Sequence, residues 1–193
     1  MKFRSLLAAA TLAAAALPVA SDAAVTSSTV GSVQRIRYPA GREPALALPG
    51  GERLTIRSLF RITKPMRFGD FAWNDAGVPD GAVRVRIDLA RQMMSVFRNG
   101  HEIGTAVVLY GTDHKPTPTG TFPILARAEH HRSSLYDAEM PYMLRLTNDG
   151  VAIHASPVKR GYATHGCVGV PIDFARLLFA ATRRGDRVTI VAG

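Results

Sequence analysis

Between Val83 and Leu89 apolar and polar residues alternate strictly, with Val83, Val85, Ile87 and Leu89 on one side and Arg84, Arg86 and Asp88 on the other. That period of two belongs to a strand with one buried face. Met94, Val96 and Phe97 supply a second strand. Asn99-Gly100 then predicts a tight hairpin, because both residues tolerate positive φ, and a third strand runs from about Glu102 to Tyr110. Further strands are expected at 121–126, 143–146, 151–154 and 187–191. One helix follows Pro171: Asp173 suits its first turn, and Phe174, Leu177, Leu178 and Ala181 share a face. Arg183 and Arg184 fall in its last turn, and Gly185 ends it. The pattern predicts a mainly β domain over residues 82–193 with one late helix.

Upstream the periodicity fades. Residues 24–81 read as an arm or linker with little regular structure, carrying Ser27-Ser28-Thr29, Pro49-Gly50-Gly51, a short isolated strand from Leu54 to Phe60, and turns at 74–77 and 79–81. Residues 1–23 have the pattern of a secretory signal: Lys2 and Arg4, an apolar run from Leu6 to Ala20, then Ser21-Asp22-Ala23 as a small-residue cleavage site. The run is short for a permanent span of ~20 residues, with an uncleaved anchor as the alternative. Processing after Ala23 would remove two cations and an anion, so the formal charge of +9 becomes +8. The expected location is the periplasm or cell envelope, with no stable membrane insertion once the signal is gone.

Charge narrows the partners only a little. The excess of Lys and Arg suits anionic envelope polymers or plain solubility, and it is scattered rather than striped, which argues against nucleic acid. Oligomeric state leaves no mark in the pattern. The cysteine count says more. Cys167 stands alone, so no internal disulfide is open to it, and outside the cell a lone thiol is exposed to oxidation unless it is buried or used.

The surroundings of Cys167 favour use. His154 ends a predicted strand, and the chain returns after about ten residues to Thr164-His165-Gly166-Cys167-Val168. A thiol attacks acyl carbon as thiolate and needs a base beside it. Gly166 leaves the backbone N–H groups open to an oxyanion. His165 follows too closely in an extended stretch to face the same way as Cys167. The expected roles are therefore Cys167 as nucleophile, His154 as base, and His165 with Gly166 shaping the oxyanion pocket. Two readings compete: zinc held by His154, His165 and Cys167, disfavoured because no second cysteine exists, and a buried inert thiol with incidental histidines. No metal and no cofactor is expected.

His154 with Thr164-His165-Gly166-Cys167-Val168 resembles the signature of the L,D-transpeptidases, whose catalytic domain is called YkuD-like. Val85–Leu89, Thr117-Pro118-Thr119-Gly120-Thr121-Phe122, Met140-Pro141-Tyr142-Met143 and Gly185-Asp186-Arg187-Val188 follow in the family's order. The resemblance implies a β-sandwich-like catalytic domain acting on peptidoglycan stem peptides through a thioester. It also implies substrate-side roles for Tyr142, Thr164 and Ser156, Tyr142 being equally readable as a core aromatic. Hydrolysis of the same bonds, as an L,D-carboxypeptidase or amidase, and a non-catalytic peptidoglycan-binding module are the alternatives. Two departures bear on substrate. Gly169 stands where the family has an arginine suited to a carboxylate, with Arg132 and Arg145 as candidate substitutes. Ala155 stands where the family has Gly or Ser, so no hydroxyl follows the base directly, and Ser156 comes one residue late.

Overall fold

The computed structural model describes residues 26–134 and 136–193; the expected signal at 1–23 lies outside the described residues. In chain order the strands are β1 (Thr26–Ser28), β2 (Gln34–Arg37), β3 (Ala45–Ala47), β4 (Arg53–Thr55), β5 (Ser58–Arg61), β6 (Phe71–Asn74), β7 (Val83–Asp88), β8 (Met93–Arg98) and β9 (His101–Val107). They continue as β10 (Gly120–Pro123), β11 (Ala126–Ala128), β12 (Met143–Arg145), β13 (Ala152–Ala155) and β14 (Val168–Val170), then helix α1 (Ile172–Ala181) and β15 (Arg187–Val191).

The alternating segment becomes the centre of a nine-stranded sheet. β7, β8 and β9 form an antiparallel meander, β15 lies parallel to β7, and β10 closes that edge. Asn99 and Gly100 both take positive φ, 49° and 80°, as the hairpin requires. Val83, Val85, Ile87, Val96, Val188 and Ile190 meet in one core.

Three expectations need correcting. The segment expected to hold little regular structure carries β1 to β6. β6 pairs with β9, and Phe71 and Trp73 pack edge-on against Phe174 of α1, with ring centroids 6.0 and 5.7 Å apart. Short strands that rely on partners far along the chain leave little local period. The expected strand 121–126 is two strands in two sheets. Ile124 N–H bonds Asp186 O of the large sheet's side, and Leu125 N–H bonds Arg145 O of the smaller sheet, so the chain crosses between sheets there. α1 stops before Arg183 and Arg184, because Thr182 turns extended at φ −103° and ψ 161° while its N–H still makes the last helical bond to Leu178 O (3.0 Å) and its hydroxyl donates to the same oxygen (2.7 Å); Gly185 then serves the following turn at φ +89°.

The smaller sheet has the order β11-β12-β13-β14, with β13 and β14 parallel. Its inner face gives Leu144, Ile153, Ala155, Val168 and Val170 to the core, where α1 buries Phe174, Ala175, Leu177 and Leu178. Beyond β9 the chain reaches this sheet too, for Leu109 and Gly169 exchange backbone bonds of 2.9 and 3.0 Å. β14 is thus held on both sides. None of the helices among the described residues is long and apolar enough to cross a membrane.

Candidate active site

Alternation along β13 and β14 decides what faces outward. Ile153 and Val168 point into the core as a pair, so Ala152, His154, Cys167 and Gly169 occupy the opposite face. His154 pairs with Gly169, and Cys167 lies one step before Val168. Nucleophile and base candidates therefore stand on neighbouring strands, on one face, two register positions apart. Both side chains are half-buried. Met140, Met143 and Ala152 form the apolar bed against which Cys167 and Ala128 pack.

The loop before Cys167 is tied down by hydroxyls. Thr164 donates to Cys167 O (2.5 Å), and its own N–H bonds Tyr110 O (3.0 Å). Thr117, buried, accepts from Gly111 N–H and donates to Gly166 O, both at 2.9 Å. Gly166 has φ +103°, a conformation reserved for glycine, although a Cβ would find room there. Among the described residues no carbonyl or side chain takes the N–H of Gly166 or Cys167.

His154 is oriented by backbone. Nδ1 lies 2.8 Å from Ala155 O, and a carbonyl only accepts, so the hydrogen sits on Nδ1 and Nε2 keeps its lone pair. The Ser156 hydroxyl is 3.4 Å from the same Nδ1. The hydroxyl absent at position 155 is thus replaced by that residue's carbonyl. Burial pushes the His154 pKa below its ordinary value; the Ala155 bond opposes this and the nearby His131 adds to it. Burial likewise pushes the Cys167 thiol up, with a hydrogen bond from Ala152 N–H lowering it and Asp149 raising it. Both shifts favour neutral partners, thiol and imidazole, at rest. In this state the thiol donates to Gly150 O (3.9 Å), and no hydrogen bond joins it to His154 among the described residues.

The remaining sequence candidates spread around this pair. His165 is exposed and stacks on Tyr136 of the 129–142 loop, ring centroids 4.6 Å apart. Tyr142, at φ +55°, lays its ring against Phe179, 5.8 Å away. Ser156 fills the space above Gly169: a Cβ there would meet Ser156 Cβ at 2.9 Å and Oγ at 3.0 Å. Arg132 is engaged by Asp137 (2.6 Å) and Glu139. The described residues contain no group of three or more His, Cys, Asp and Glu placed to hold a metal. Thr117, Asp149 and His131 were not singled out as site residues from sequence, although Thr117 stands in the Thr117-Pro118-Thr119-Gly120 run and His131 in a polar loop, 130–134, that could cover a cleft.

Fold and site together define a β domain whose candidate site lies on the outer face of its smaller sheet. Residues 82–190 match the family model YkuD, the L,D-transpeptidase catalytic domain, and the chain belongs to that family. L,D-transpeptidase 1 of Mycobacterium tuberculosis is 28% identical over 120 residues, covering 53% of this chain and 48% of that protein. The chain thus spans about half the length of the curated relative it matches. Among solved structures, an L,D-transpeptidase from Stackebrandtia nassauensis superposes with a TM-score of 0.55 at 24% identity over 60% of this chain and 58% of that one. One from Mycobacterium smegmatis gives 0.55 at 18% identity over 83% and 82%. These likenesses establish the fold.

Proposed function

We propose that this chain is an exported cysteine L,D-transpeptidase that crosslinks or remodels peptidoglycan stem peptides. The observation that carries the reading is Cys167 beside His154 on one sheet face, with the imidazole locked so that Nε2 is the free base. In turnover the thiol leaves Gly150 O and gives its proton to Nε2 as sulfur attacks the carbonyl of the donor's L-centre. The unpaired N–H groups of Gly166 and Cys167 receive the oxyanion. Collapse breaks the C–N bond, His154 returns its proton to the departing amine of a D-amino acid, and a thioester remains. An acceptor amine then attacks, His154 takes its proton, and the thiol is regenerated. Both partners begin neutral, so the ion pair exists only during turnover.

The test is incubation of the protein with tetrapeptide muropeptides, with and without an acceptor amine, followed by mass analysis. Crosslinked or exchanged product that requires Cys167 and the acceptor is expected. Water-only products would instead make it an L,D-carboxypeptidase. A carbapenem, whose strained carbonyl presents the same electrophile, should add its mass to the wild type and not to Cys167→Ala. A folded wild type that gives neither adduct nor product would sink the reading and leave a wall-binding module.

A further inference from the structure

The outer face that bears Cys167 bears one more functional group. β12 runs antiparallel to β13, and Arg145 pairs with Ala152. Ala152 in turn lies beside Cys167, which packs on it. Arg145, Ala152 and Cys167 therefore form one row across three strands, with side chains on the same side. Strands lie about 4.8 Å apart, so the row separates the backbones of Arg145 and Cys167 by about 10 Å. Ala152 lies between them, 1% exposed beneath Met140 and Met143, so the exposed Arg145 side chain would reach a ligand over this apolar bed. Arg145 is exposed, and its guanidinium enters no ion pair or hydrogen bond among the described residues. The other candidate cation, Arg132, already holds two carboxylates. Position 169 is crowded, because a Cβ there would come within 2.9 Å of Ser156 Cβ.

We propose that Arg145 is the carboxylate anchor of this site, binding a carboxylate that flanks the scissile amide of the donor peptide. The inference rests on the acyl-transfer reading above and adds the residue that selects an acidic donor. A guanidinium offers two parallel N–H groups to such a group, and an unspent one at this distance from the sulfur reaches a carboxylate on either side of the attacked carbonyl. Two sources share that chemistry: the terminal D-amino acid, and the far D-centre of a diamino-acid donor.

The experiment compares wild type, Arg145→Gln and Arg145→Lys on four donors: free acid, amidated at one carboxylate, amidated at the other, and amidated at both. Arg145→Gln should raise KM for the free acid about tenfold or more while kcat stays within about threefold. Arg145→Lys, keeping the charge without the fork, should fall between. The variant and wild type should converge on whichever singly amidated donor has lost the anchored carboxylate, and on the doubly amidated one. Unchanged denaturation midpoint and iodoacetamide reactivity at Cys167 exclude a folding defect. Equal KM on the free acid, or an equal loss on all four donors, overturns the assignment. If wild type processes no donor at all, the acyl-transfer reading itself has failed.

Discussion

At the scale of single residues, the two groups proposed to react are tuned away from a standing ion pair. Burial lowers the His154 pKa and raises that of Cys167. His154 must be neutral to accept a proton, so the acid limb of kcat/KM should lie below the ordinary histidine value, and activity should persist into mildly acidic solution. His131 contributes to the lowering, so His131→Gln should move that limb upward. Thiolate is scarce at neutral pH, so alkylation of resting Cys167 by iodoacetamide should climb only above the ordinary thiol range. A plateau of fast alkylation between about pH 5 and 7, the signature of a thiolate–imidazolium pair, would contradict the neutral resting state.

At the scale of elements, β13 and β14 fit because position 169 carries no side chain. Gly169 lets Ser156 close over the strand while Ser156 N–H bonds Val170 O (2.9 Å). Restoring the family's arginine with Gly169→Arg should therefore overpack the pair, costing about 1–3 kcal/mol in denaturant unfolding, and should slow turnover. Adding Ser156→Gly removes the obstructing atoms and should recover most of that stability. If the single variant is as stable as wild type, the packing account is wrong. Position 169 is then free, and Arg145 loses part of its motive.

For the whole molecule, the catalytic sheet depends on the N-terminal segment. Trp73 is 1% exposed, and Gly104 lies so near that a Cβ there would come within 2.4 Å of the indole. α1 joins the two sheets through this contact, since Phe174 meets both Phe71 and Trp73. Trp73→Ala should cost about 3–5 kcal/mol, read as a fall in denaturant midpoint. A chain beginning at residue 82, where the family match begins, should lose cooperative unfolding, because it strips β6 from β9. Full stability of that truncation would show the segment to be dispensable.

Much was legible in the residues alone. Period-two alternation marked β7, β8 and β15, Asn99-Gly100 marked the hairpin, and a lone thiol with His154 and Gly166 marked the candidate site. These are local signals, carried by which side of its own strand or turn each residue must face. What the chain pairs with is not local. Insertion of β6 beside β9, the crossing at Ile124–Leu125, Thr117 beneath Gly166, the Ala155 carbonyl on His154, and Arg145 in one row with Cys167 all follow from register between distant segments. Side-chain type records a preference for burial or charge. Partner and orientation are decided only when the sheets assemble, since a backbone carbonyl or a strand neighbour leaves no letter in the sequence.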